Sequence, residues 1–161
     1  MERIELLILR NLIYNEEYTR KVIPFIKDDY FEEQNQKIIF QEISSFIQEY
    51  NKLATKEILS IEVEKRNDIN DTNFKEVVDI ISSLEDEVGE IDWLIDSTEK
   101  WCRDRAIYLA LMESIQLADG KDESKGRDAI PSILSDALSV SFDNHVGHDY
   151  LQDYEKRFES Y

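Results

Sequence analysis

The sequence predicts an all-α fold, and three observations carry that prediction. One is an uninterrupted stretch, Asp92 to Ala118, that contains neither Pro nor Gly. Another is apolar spacing of i, i+3, i+4 and i+7 in one segment after another, the pattern of helices with one buried face. The third is punctuation, because polar runs such as Asn67–Asn73 and Lys121–Arg127 separate the periodic segments and read as loops.

Taken in order, the first helix is expected over Glu2–Tyr14. Ile4, Leu6, Leu7, Ile8, Leu9, Leu12 and Ile13 make it apolar on most sides, which suits the central helix of a small bundle. Asn15 is a natural cap for a short second helix, with Glu16 and Glu17 in the first turn where the helix dipole favours them. Tyr18 and Val22 face inward, and Pro24 ends the helix because it disfavours the helical region for the residue before it. Phe25, Ile26, Tyr30 and Phe31 flank Lys27-Asp28-Asp29 and read as loop residues plugging into the core. A third helix carries Ile39, Ile43, Phe46, Ile47 and Tyr50 on one face. Thr55 caps a fourth with Ile58, Leu59 and Val63, although Ile61-Glu62-Val63-Glu64 alternates as a strand would. After the polar run Asn67–Asn73 a fifth helix places Phe74, Val77, Val78, Ile81 and Leu84 on one face. The acidic run Glu85-Asp86-Glu87-Val88-Gly89-Glu90 ends in turn chemistry and marks a boundary.

Beyond it, Asp92 is the expected cap of the long helix and Asp119-Gly120 its stop. At about 1.5 Å per residue this is a rod of roughly 40 Å. Leu94, Thr98, Trp101, Arg105 and Tyr108 fall near one face, but Ala106 to Met112 are apolar without a break and so point in every direction. A helix that is apolar all round must be covered all round. After the loop Lys121–Arg127, Asp128 is the expected cap of a partner helix with Pro131 in its first turn. Ile130, Ile133, Leu134, Ala137 and Leu138 give it one apolar face, and the pair reads as an antiparallel hairpin. One partner helix covers one stripe. The remaining face packs either on another subunit or on the preceding domain.

The last segment changes character. Ser139 to His148 holds turn formers and both histidines; Asp149–Tyr161 then looks helical, with Tyr150, Leu151, Tyr154, Phe158 and Tyr161 on one stripe. A stripe with no later element to bury it points to a truncated piece or a helix meant for another subunit. Charge narrows the partners: Asp and Glu number 36 against 19 Lys and Arg, a net −17. Such a surface repels phosphate and suits a basic protein partner better than nucleic acid. The single cysteine, Cys102, is expected as a buried free thiol. No apolar run reaches the ~20 residues of a membrane span, and Met1-Glu2-Arg3 enters a helix pattern without a signal peptide.

The chemistry of catalysis is missing from the pattern. Four glycines, Gly89, Gly120, Gly126 and Gly147, cannot build a phosphate-cradling loop. Asp143, His145, His148 and Asp149 match no metal-ligand spacing, and pairs such as Glu16/Glu17, Asp28/Asp29 and Glu32/Glu33 are explained as helix-end or solvated charges. No catalytic residue, bound cofactor or metal is expected in this chain.

Leu6 to Ile13, Val22-x-x-Phe25, Asp28-Asp29-Tyr30-Phe31 and Ile38-Ile39-Phe40 resemble the N-terminal domain of DnaB-type replicative helicases. Ala129-Ile130-Pro131, Ala137 to Asp143, Val146 to Asp149 and Asp153-Tyr154-Glu155 are similar to the same region in the replicative helicases of T-even-type bacteriophages. The resemblance runs in order along essentially the whole chain. It implies a helical globule over 1–88, a helical hairpin over 89–141 and a linker over 142–161. It also implies hairpins that pair between subunits into a collar on a hexameric ring, a primase as partner, and a linker helix that packs on a neighbour's ATPase domain. That ATPase domain, with its ATP and Mg and its DNA contacts, has no counterpart here, so the chain looks like the N-terminal part of a longer 5′→3′ helicase, acting in the cytoplasm of the infected host cell. The residues expected at the hairpin interface are Trp101, Tyr108, Leu111, Met112, Ile115, Ile130, Leu134 and Leu138, and those of the linker contact are Tyr150, Leu151, Tyr154 and Phe158. The competing expectation is a stand-alone acidic helical adaptor that binds a basic protein.

Overall fold

Asn15, Thr55 and Asn70 start helices in the way their side chains dictate. Each has extended backbone, and its side-chain oxygen accepts from the amide three residues on: Tyr18, Ile58 and Asn73. Each such cap contributes about 1 kcal/mol by satisfying one of the orphan amides of a first turn. A computed structural model describes residues 3–87, 89–120 and 126–142 of the chain. Among them the protein is all-α: α1 is Arg3–Tyr14, α2 Glu16–Val22, α3 Gln34–Tyr50, α4 Lys56–Glu64, α5 Asp71–Ser83, α6 Ile91–Ala118 and α7 Ile130–Leu138. Short 3₁₀ turns lie at Ile23–Phe25, Asp28–Tyr30 and Arg127–Ala129. Among the described residues there is no strand, and no helix is long and apolar enough to cross a membrane.

Several boundaries differ from the sequence expectation, each for a local reason. The stretch Ile61–Glu64 is helical: Leu59 and Val63 are fully buried one turn apart while Ile61 is exposed, so the alternation is an accident of helical spacing. Helix α5 begins at Asp71, inside the expected loop, because Asn70 caps it. Helix α2 does end at Val22, ahead of Pro24 as expected, and Pro24 itself sits in the 3₁₀ turn that follows, where its missing N–H leaves no unmet bond. Helix α6 begins at Ile91, with the Glu90 carbonyl accepting from Leu94, so Asp92 lies within the first turn instead of capping it. The cap expected at Asp128 is not formed, because Arg127–Ala129 makes a 3₁₀ turn and α7 starts at Ile130 with Pro131 in its first turn. Gly120 ends α6 as expected, at φ +75 with its amide bonded to the Leu117 carbonyl.

Contacts divide the chain into two units, Met1–Thr98 and Glu99–Tyr161. In the first, α1 packs on α2 and α3, and α3 on α4 and α5. Ile8, Leu9, Leu12, Tyr18, Phe31, Ile38, Ile39, Ile43 and Ile81 form its core. The expected plugs are there: Ile26, Tyr30 and Phe31 are buried, and Phe31 packs on Phe40 with centroids 5.4 Å apart; Phe25 is half-buried. Tyr50, expected on the inner face of α3, is exposed and rests on Phe46 at 4.7 Å.

Polar groups close the edges of this unit. Arg66 donates to Glu42 (2.6 Å), to Gln41 (3.0 Å) and twice to Asp68 (2.9 and 2.7 Å), and Gln41 donates on to Asp28 (2.8 Å). The hydrogen bonds with Arg66 hold the Asp68 carboxyl below its ordinary value, and those with Asp68 and then Glu42 raise the guanidinium in turn. Lys56 donates to the carbonyls of Ser82 and Leu84 at the end of α5, and the Tyr14 hydroxyl donates to Leu84 as well. The root of α6 belongs to this unit too. Leu94 and Thr98 are buried; the Thr98 hydroxyl donates to the Leu94 carbonyl (2.7 Å), so the Tyr18 hydroxyl must be the donor to Thr98 (2.6 Å).

In the second unit the chain returns along α6. Arg127 Nε donates to the Ala118 carbonyl at the end of the helix (3.1 Å). At the other end of the return, Arg103 Nε donates to the Val140 carbonyl (3.0 Å). Glu99 accepts from the Ser141 hydroxyl (3.1 Å) and the Phe142 amide (2.9 Å). Residues 127 to 142 therefore run antiparallel to 118 to 99, the course a helical hairpin takes.

Candidate interaction surface

In the second unit α6 has two opposite faces of different character. Ala110, Ser114 and Leu117 are buried one turn apart, and Ala137 of α7 is buried as well. On the opposite face stand Tyr108, Leu111, Met112 and Ile115, at i, i+3, i+4 and i+7, with relative exposures of 51, 47, 41 and 53 %. The helix thus carries a second apolar stripe that the described residues leave exposed. Burying a side chain of this size contributes about 1.5–3 kcal/mol, which makes the stripe the largest unrealised contact on the helix.

The other residues expected at an interface have different environments. Trp101 is buried at 8 % exposure. Ile130 and Leu134 are half-buried on α7, while Leu138, at 65 %, is the most exposed of the set. Tyr150, Leu151, Tyr154 and Phe158 lie outside the described residues, as do Asp143, His145, His148 and Asp149. Among the described residues no cluster of His, Cys, Asp and Glu has the arrangement of a metal site.

Of two further residues in this unit, periodicity places Arg105 on the face of Tyr108 and does not place Glu99. Arg105 lies beside the stripe with its guanidinium 5.0 Å from the Tyr108 ring centroid. The i, i+3 spacing of a cation and an aromatic is the local signal for that pair. Glu99 ties down the end of the return segment, and nothing near it in sequence announces partners more than forty positions away.

Cys102 lies fully buried near the start of this unit. Burial, and then the charge of Glu99, push its thiol up to about 12. Two results are expected. The native thiol should stay unreactive towards a disulfide reagent at pH 8 over a time in which the urea-unfolded chain reacts completely. Stability should also be independent of this thiol below pH 9 and fall as pH rises from 9 towards 12, because the unfolded chain ionises there while the folded one does not. A native thiol as fast as the unfolded one would contradict the burial.

No family model matches the chain. Along 96 % of its length it is 34 % identical to a DnaB-like replicative helicase of Enterobacteria phage T4, and it spans 34 % of that protein's length.

Proposed function

We propose, taking as premise that this chain is related to a DnaB-type phage replicative helicase, that it is the assembly and collar domain of such an enzyme. One observation carries the reading: an exposed apolar stripe on the long helix of a chain that aligns nearly end to end with part of a DnaB-like replicative helicase. The stripe joins subunits, and the hairpin unit around it forms the collar above a hexameric ring. ATP and Mg are bound, and DNA is unwound, by a domain that this sequence does not include. The chain itself then needs no catalytic group. Its surplus of acidic side chains suits docking of a basic partner, for which a primase in the infected cell is our proposal. The segment 142–161 would carry the linker helix, with Tyr150, Leu151, Tyr154 and Phe158 against the neighbouring subunit.

The test is light scattering on a sizing column over a concentration series from low to high micromolar. A mass that rises above the monomer with concentration supports the assembly role. A clean monomer at the highest concentration overturns the stripe as the assembly element. The primase role is tested apart, by co-sedimentation of the matching primase with the full-length ring; binding no better than background removes it.

The charge itself, −17 on 161 residues, favours a second reading, an acidic helical adaptor that captures a basic protein. It predicts that the gene stops near Tyr161. A phosphate-binding loop in the downstream coding sequence would rule it out.

A further inference from the structure

Trp93 is the largest apolar side chain that the described residues leave in solvent. It stands in the first turn of α6 at 57 % exposure, while Leu94 and Thr98 of the same helix are buried. Among the described residues its indole N–H donates to no group, and its ring stacks on no aromatic or cation. A single exposed apolar residue is ordinary on a protein surface. The surroundings of this one are not.

Between Lys75 and Lys100 the sequence holds no Lys or Arg, and Glu85, Asp86, Glu87, Glu90, Asp92 and Asp96 are all exposed. Lys56 answers Glu85 at 3.5 Å, and Arg10 answers Glu87 at 3.3 Å. Asp86, Glu90, Asp92 and Asp96 form no ion pair among the described residues. Asp96 lies one turn after Trp93 on the same face, about 5–6 Å away between Cβ atoms. Glu90 lies just ahead of the helix, its carbonyl accepting from the Leu94 amide.

A flat cation suits this face. A guanidinium stacked on the indole, within about 6 Å of its centroid, keeps its N–H edge free to bond a carboxylate in two places. An ammonium is a point charge and cannot do both as fully. Phosphate is repelled here, which excludes nucleic acid as the occupant. A second copy of the chain, itself at net −17, is a poor source of the cation.

We propose that the start of α6 docks an arginine-bearing segment of a basic protein, with a guanidinium stacked on Trp93 and held by the Asp96 carboxylate, while Asp86, Glu90 and Asp92 draw the segment in. The proposal rests on the reading of a basic partner above and gives that partner a place.

The probe is a short fluorescein-labelled peptide of arginine and leucine, with its lysine counterpart, titrated with the full chain and followed by anisotropy. Trp93→Ala is expected to weaken binding of the arginine peptide at least about fivefold, and Trp93→Phe to keep it within about threefold of the parent. Glu90→Gln with Asp96→Asn should also weaken it at least about fivefold. Glu49→Gln with Glu64→Gln, which removes the same charge from exposed positions elsewhere, should stay within about twofold. The lysine peptide should bind at least about threefold more weakly than the arginine one. Circular dichroism checks that every variant keeps its helices. Parent-like binding by Trp93→Ala, an equal loss in the Glu49 and Glu64 control, or no binding by the parent overturns the site. Co-sedimentation of the matching primase with the full-length ring separates the two readings. A primase that binds the Trp93→Ala ring as tightly as the parent ring removes this site and leaves the partner standing; a primase that binds neither removes that partner, and the peptide still decides the site.

Discussion

Replacing Leu111 and Ile115 together by Glu should leave the chain folded and make it monomeric. Both side chains are about half exposed, so the folded monomer loses little; substitutions at such positions change stability by about 0.5 kcal/mol or less. Association is affected far more. Each subunit loses two apolar side chains from the contact, and burying them contributes about 1.5–3 kcal/mol apiece. Each subunit also brings two carboxylates to a surface that would have to desolvate them. An increase in the dissociation constant of a hundredfold or more is expected. Light scattering at a concentration where the parent associates, with thermal melts run alongside, measures both quantities. An unchanged mass for the variant would show that the stripe takes no part in association. A lost melt would show instead that these side chains stabilise the monomer.

The largest effect on stability is expected from Phe31→Ala. Phe31 lies just after the second 3₁₀ turn, outside any helix, yet it is fully buried and rests on Phe40. Truncating a buried Phe costs about 3–5 kcal/mol through lost transfer energy and the cavity left behind. The aromatic pair adds about 0.5–1.5 kcal/mol. Set against a typical domain stability of about 5–15 kcal/mol, this is a large fraction. Urea titration followed by circular dichroism should show the midpoint falling steeply. A loss under 1 kcal/mol would mean that the loop collapses to fill the space, and that the residue covers the core without filling it.

Phe31 also shows what can be read from a sequence of this kind. An aromatic residue in a polar loop has only the core to go to, so its burial was legible without any helical periodicity. The caps at Asn15 and Thr55 were legible for a similar reason, since a short polar side chain before an apolar-periodic run has one good hydrogen-bond partner. Asp128 shows the limit. A 3₁₀ turn and an α-helical first turn draw on the same residues, and the choice at Arg127–Ala129 was made by backbone bonds that the side chains do not reveal. The strand-like alternation at Ile61–Glu64 was settled by tertiary burial of Leu59 and Val63, which a local pattern cannot contain.

The interaction surface divides in the same way. Seven apolar residues in succession from Ala106 to Met112 announced that α6 has more apolar surface than one partner covers. Which residues stay uncovered depends on where the return segment lies. That is fixed by Arg103 and Glu99 reaching backbone groups far along the chain, and by Arg127 reaching back across the loop to the Ala118 carbonyl. Trp101, grouped by spacing with the exposed set, is buried; Tyr108, seven positions on, is not.

The shielding of Cys102 has a practical consequence. A thiol held out of solvent, with its ionisation pushed up to about 12, will not compete with an introduced cysteine for a maleimide or a nitroxide reagent near neutral pH. A single new cysteine on an exposed site such as Gln116 would therefore be the one position that takes the label, in a chain otherwise left as it is. Distances between copies could then be measured without first removing the native residue and disturbing the packing around it.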